Sequence, residues 1–341
     1  MSLTGRPKRV WKGGNIVLWT VLSAVVVTIL LTLISDLRVL KEALKGFPVR
    51  LLIPIALLSL GNYILRYVKW HWYLILMGHR IGRWQNLLVF LSGFALTVTP
   101  GKVGEFVKTF IAKERFKVPY TVSTAVLLME RFTDIGALLV LICIGISLEY
   151  LHWSFAVLIM SALLGFLMLV RNRRFVGYII GLTGRIKPLR ALSGPLRTFY
   201  EQGWALLDLR VFTFSLALSV FAWFLEGVGY ALVAWGFGVG LNLFEGVFIY
   251  TAALIGGVLT FFLGGLGATE GGMVGLGMAF GMSASISAAS TLIIRVMTLW
   301  YAVVIGWLVF LFTPGLRSLL REAREEESPE FRVQSSEGEG D

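Results

Sequence analysis

The sequence predicts an all-α, polytopic membrane protein, with about six full transmembrane helices and two re-entrant hairpins forming an inverted repeat. Three observations lead there. Of 341 residues, 57% are hydrophobic and 15% charged, whereas soluble domains carry roughly 25% charged residues. Apolar runs of the ~20 residues needed to cross ~30 Å of hydrocarbon recur along the chain. Two further hydrophobic regions are each broken near the middle by a glycine-rich turn bearing a glutamate, which a simple span would not carry.

Taken in order, residues 1–15 form a basic N-terminus with Arg6, Lys8, Arg9 and Lys12. The run from Ile16 to Ile34 has no small-residue cleavage pattern before Asp36, so it reads as a retained span rather than a signal peptide. Further spans are expected at 51–70, 121–149, 153–170, 211–236 and 286–312. All belong to one membrane domain, 16–315. The segment 316–341, with Glu325, Glu326 and Glu327, is expected to be an acidic, disordered cytoplasmic tail.

Basic residues orient the chain. With the N-terminus cytoplasmic, twenty-five of the thirty-one Lys and Arg fall in inner segments, eight of them in the loop 171–210, and four in the outer loop 35–50. The remaining two are Arg131 and Arg295, inside spans. This predicts a multi-pass protein of the cell (plasma or inner) membrane with both termini in the cytoplasm. Charge parity then makes 86–117 a hairpin entering from the cytoplasm and 244–283 one entering from outside. Asn86 to Val98 covers only about 20 Å as a helix, too short to cross.

The two broken regions also resemble each other. A constant offset of 164 pairs Gly101 with Gly265, Ser123 with Ser287 and Arg131 with Arg295, and Glu105 meets Glu270 after a one-residue shift. Three spans separate the copies, so the second should be upside down. Inverted repeats with broken helices place substrate sites near the midplane where the repeats meet.

Charges inside a span require a reason. Glu130, Arg131 and Asp134 share one helix at spacings that let them neutralise one another. Arg295 has no acid nearby in sequence, so Glu270 on the second hairpin is its expected partner, and Glu105 or Glu130 the matching partner of Arg131. Gly101, Gly104, Gly265 and Gly267 would allow the chain to reverse inside the membrane. Two guanidiniums beside half-helix amide donors would suit a phosphate. The candidate substrate site is therefore Arg131, Arg295, Glu105, Glu270, Glu130, Asp134 and these four glycines. No catalytic residue, metal site or cofactor motif is found: there is no phosphate-binding loop, no zinc spacing among His71, His79 and His152, and a single cysteine, Cys143. The basic residues lie between apolar runs, which points to membrane orientation rather than to nucleic acid.

Pro100-Gly101-Lys102-Val103-Gly104-Glu105, Glu130-Arg131-x-x-Asp134, the Gly-Gly-Leu-Gly-x-x-Glu turn at 264–270 and Arg295 together resemble the lysylphosphatidylglycerol synthase transmembrane-region family of flippase-like membrane proteins. The resemblance covers roughly 15–315 and lacks a proline just before Gly264. It implies translocation of a phospholipid or polyprenyl-phosphate-type lipid between leaflets, with membrane lipids, anionic or phosphate-bearing, as ligands. The sequence carries no recognisable transferase segment, so the chain is not expected to be an enzyme. The alternative is a membrane-embedded enzyme, or an accessory subunit of a lipid or lipid-linked glycan synthesis complex, and both a synthesis-enzyme partner and a homo-oligomer remain open.

Overall fold

The computed structural model describes residues 42, 45–97, 106–147, 153–185, 190–259 and 267–313. The basic N-terminus, the expected span 16–34, the acidic tail and the two glycine turns at 98–105 and 260–266 lie outside the described residues. The described chain is helical throughout, without strands.

A 3-10 turn, Val49–Leu51, opens α1 (Leu52–Leu76). Helix α2 (Arg83–Ser92) runs into a 3-10 turn at Gly93–Leu96, and α3 (Phe106–Phe116) follows the first break. Then come α4 (Tyr120–Ser147) and α5 (Trp153–Arg171). Two shorter helices, α6 (Arg173–Arg185) and α7 (Arg190–Gly203), lead into α8 (Leu209–Gly236). The second broken region supplies α9 (Leu243–Leu259) and α10 (Ala268–Ala279). The last span is α11 (Ala284–Arg295), a π-helical turn at Val296–Trp300 and α12 (Tyr301–Phe312).

Three stretches among the described residues are long and apolar enough to cross a membrane: Val49–Leu76, Leu209–Gly236 and Ala284–Phe312. Helix α4 has the length, at 28 residues, but carries the Glu130, Arg131 and Asp134 cluster. The polarity is that of a lipid-solvated protein. On α1 the residues Ile53, Leu57, Leu60, Ile64 and Val68 form an exposed stripe at helical spacing, while Ser59, Asn62 and Lys69 are buried.

The repeat is visible in the backbone. Helices α1 and α8 end in the same turn, 160 residues apart: Gly78 and Gly238 have φ of 82° and 75°, and His79 N–H bonds Leu74 C=O as Val239 N–H bonds Ala234 C=O. Glycine fits there because a side chain is strained at positive φ. Likewise Lys117 and Gly281, 164 apart, both have positive φ, 58° and 86°, just before α4 and α11 begin.

Packing shows how the two units face each other. Trp72 meets Phe214, Lys69 meets Ser219, the Asn62 side chain donates to the Ala222 carbonyl at 2.9 Å, and Ile55 packs near Gly229. Residue numbers fall on α1 as they rise on α8, so the helices are antiparallel. Asn62 and Ala222 are themselves equivalents at the 160 offset, so the pseudo-two-fold relation passes between them. Two equivalent helices that cross antiparallel at equivalent residues are related by an approximate two-fold axis perpendicular to their lengths. The second hairpin is antiparallel too, with Ala253 against Gly272 and Phe248 against Phe280. Each unit's last helix packs on the other's hairpin: Gly145 of α4 meets Phe248 of α9, and Gly306 of α12 meets Ala95 beside α2.

Candidate functional site

The charged residues converge around the α1/α8 crossing. Asp134 on α4 receives Lys69 Nζ of α1 on Oδ1 at 2.6 Å. Lys69 also donates to Thr133 Oγ1 at 3.1 Å and to Ser219 Oγ of α8 at 2.6 Å, and Ser219 donates to Asp134 Oδ1 at 3.0 Å. The other Asp134 oxygen lies 3.2 Å from Arg131, an (i, i+3) neighbour. One turn earlier, Glu130 is paired with Lys108 of α3 at 2.5 Å, and that ammonium lies 4.2 Å from the centre of the Trp70 ring.

In the second unit Arg295 and Glu270 meet, Nε to Oε1 at 2.6 Å. The approach does not meet hydrogen-bond geometry for either atom, so it is a charge contact rather than a directed bond. The other Glu270 oxygen accepts from the Gly267 N–H at 2.6 Å, and Gly267, with φ 86°, caps the start of α10. Just past Arg295 the helix widens into the π turn, and the Tyr63 hydroxyl of α1 donates to the Thr298 carbonyl there. Such widened turns concentrate at functional sites.

Two polar residues stand at equivalent positions on α1 and α8, 160 apart: Arg66 and Glu226. Arg66 lies between Phe94 and Trp223, 5.7 and 5.5 Å from their ring centres, and makes no ion pair with a described residue. Glu226, buried, accepts a hydrogen bond from the Tyr250 hydroxyl at 2.5 Å.

The structure places these residues in two groups, Glu130, Arg131 and Asp134 in the first unit and Glu270, Gly267 and Arg295 in the second; Glu105, Gly101, Gly104 and Gly265 lie outside the described residues. The expected pairing of Arg295 with Glu270 is present. Arg131 pairs with Asp134, as the helical spacing allowed, while Glu130 is taken by Lys108; the other expected partner of Arg131, Glu105, lies outside the described residues. Sequence reading missed Lys69, Lys108, Arg66, Glu226 as a symmetry mate, and Tyr250. Lys69 lies near the end of the expected span 51–70 and was counted among the cytoplasmic basic residues; the helix continues to Leu76, and Lys69 is 1% exposed. The apolar continuation Trp72-Tyr73-Leu74-Ile75-Leu76 was the available signal.

The family model described as the lysylphosphatidylglycerol synthase TM region matches residues 20–306. The chain belongs to that family. Its match takes in both helix-break-helix units and every charged residue of the cluster. The chain is also similar to a UPF0104 membrane protein of Methanothermobacter thermautotrophicus, 26% identical over 242 residues, 64% of this chain and 72% of that one.

Proposed function

We propose that this family member moves a phosphate-bearing lipid between leaflets, the headgroup passing a midplane site while the acyl chains stay in the bilayer. One observation carries the reading. Arg295 is held against Glu270 by charge alone, and no described residue hydrogen-bonds its guanidinium, so its fork of donors can serve an anion. Arg66 is a second cation with aromatic walls and no ion pair to a described residue, although its charge reaches Asp134 and Glu226. The inverted units support alternating exposure of such a site, pivoting where α1 crosses α8. The basic residues support an orientation with both termini inside: removing Arg66, Lys69 and Lys108 from the flanking set leaves twenty-two of the twenty-five inner basic residues against four outside.

The test is lipid movement in reconstituted vesicles, read with a headgroup-labelled phosphatidylglycerol and an impermeant quencher. Arg295→Ala should abolish movement, and Arg295→Lys should restore only part, since a point charge lacks the planar fork. Arg295→Ala combined with Glu270→Ala should recover thermal stability without recovering movement. Normal movement in that double variant would defeat the reading, because a scaffold needs only balanced charges.

The family's description as part of a synthase favours one further reading, an accessory subunit of a lipid-synthesis complex. Co-purification of an enzyme with activity dependent on this chain, and no lipid movement without it, would establish that instead.

A further inference from the structure

The loop expected to be a mere basic anchor folds as an antiparallel pair of helices, α6 and α7. A Cβ added at Gly184 would stand 3.8 Å from Ser193 Cβ, and at the other end Arg173 lies 4.2 Å from the centre of the Trp204 ring. Between them is a cavity of about 570 Å³ lined by Gly177, Gly181 and Gly184 of α6 and by Arg197, Tyr200 and Trp204 among others on the facing side.

Glycines on facing helices ordinarily allow close approach, and a Cβ added there would strike the neighbour. Here a Cβ at Gly177, Gly181 or Gly194 would meet nothing within 4 Å. The glycines keep room open instead of closing it. The floor of that room is fixed: the Tyr200 hydroxyl donates to the Val170 carbonyl at 2.8 Å, and Tyr200 stands edge-on to Trp204 at 5.6 Å. Arg173 and Arg197 stand at the lining, with Glu201, 2.9 Å from Arg197, as its only carboxylate. Around it the segment 171–210 holds eight Lys and Arg against two acids. Phe175, Tyr178, Ile179 and Leu196 are exposed, an apolar face that a bilayer surface would cover.

We propose that the α6/α7 cavity is a second lipid site, which seats the phosphate headgroup of an anionic phospholipid from the adjoining leaflet, with Arg173 and Arg197 as its cations. The occupant is a lipid because the same hairpin joins net positive charge to an exposed apolar face, a combination suited to an anionic membrane surface. The site lies apart from the Arg295 cluster and does not depend on the chain being a translocator.

Full-length protein in nanodiscs would be exposed to phosphatidylglycerol bearing a photoreactive headgroup, and to the phosphatidylcholine analogue, with crosslinks mapped by peptide mass spectrometry. Phosphatidylglycerol should label 173–204 in preference to phosphatidylcholine. Arg173→Gln and Arg197→Gln should each lower that labelling about fivefold, the contribution of one basic residue near an anionic leaflet. Gly181→Leu, which fills the cavity, should lower it at least as much, while Gly181→Ala, which only enters open space, should not. Arg295→Ala should leave it unchanged even where lipid movement is lost. Equal labelling by both lipids, persistence in Gly181→Leu, or displacement by free inorganic phosphate would each overturn the site, the last by showing a soluble anion as its ligand.

Discussion

The two repeat units place an arginine at the same register, yet Arg131 and Arg295 are held in different ways. Arg131 shares Asp134 with Lys69, and a third cation, Lys108, reaches the neighbouring Glu130. Among the described residues Arg295 is ion-paired with one acid, Glu270 of its unit's hairpin, beside a π turn. The polarity is reversed as well. In the first unit the hairpin carries the cation and the long helix the acid, and in the second the hairpin carries the acid and the long helix the cation. The lesson is that the backbone keeps an approximate two-fold relation while the electrostatics do not, so a headgroup crossing the midplane would leave one set of partners for a different one.

Removing each arginine should expose this asymmetry most strongly. Arg295→Met leaves Glu270 buried with no cation among its described partners and should cost about 3–5 kcal/mol. Arg131→Met leaves Asp134 paired with Lys69, and because Arg131 is part-exposed the loss should be about 1 kcal/mol or less. Unfolding in mixed micelles measures both, and equal losses would show that the units are electrostatically equivalent after all.

A smaller difference is expected where each unit's last helix grips the other's hairpin. A Cβ at Gly306 would stand 2.2 Å from the Ala95 backbone nitrogen, and one at Gly145 would stand 2.7 Å from Phe248 Cβ. Overpacking of this kind costs about 1–3 kcal/mol. Gly306→Ala should lie at the top of that range, because its three nearest atoms are all backbone and the closest is at 2.2 Å, and Gly145→Ala lower, since its nearest backbone atom is the Phe244 carbonyl oxygen at 3.0 Å. The reverse order in a thermal melt would mean that the second unit's helix shifts more readily than the first's.

The smallest contrast has opposite signs in the two units. Lys117 occupies a left-handed conformation that costs a non-glycine residue about 1–2 kcal/mol, whereas its equivalent is Gly281. Lys117→Gly should therefore stabilise slightly, the gain reduced by about 0.5–1 kcal/mol of added chain entropy. Gly281→Ala should destabilise by about 1 kcal/mol. Matching shifts of one sign would remove this evidence that the first unit tolerates strain.

Much of the fold was legible because bilayer thickness, period and glycine breaks are written locally. The span positions, the two helix-break-helix units and the register of Ser123 with Ser287 all came from short-range pattern. The Arg295 and Glu270 pairing was legible for a different reason: an unpaired charge within a span demands a partner, and few acids were near. Lys69 and Lys108 were hidden because a basic residue near a helix end reads as an interfacial anchor unless the helix is known to continue. Arg66 and Glu226 have no shared chemistry to align, and only the superposed turns at Gly78 and Gly238 reveal them as mates. The widened turn after Arg295 leaves no composition signature at all, since Val296-Met-Thr-Leu-Trp300 would suit an ordinary α-helix.

The exchange of partners between units bears on how the chain is made. Helix α2 and its 3-10 extension are made early in synthesis, but the surface that covers them includes Gly306 on α12, the last described helix. Until that helix is made, the Gly93–Leu96 backbone lacks this cover. Contacts so distant along the chain make assembly slow and leave intermediates exposed. Chains ending before Tyr301 should thus be left with this part of the first unit uncovered, so α12 completes the packing of a segment made some two hundred residues earlier.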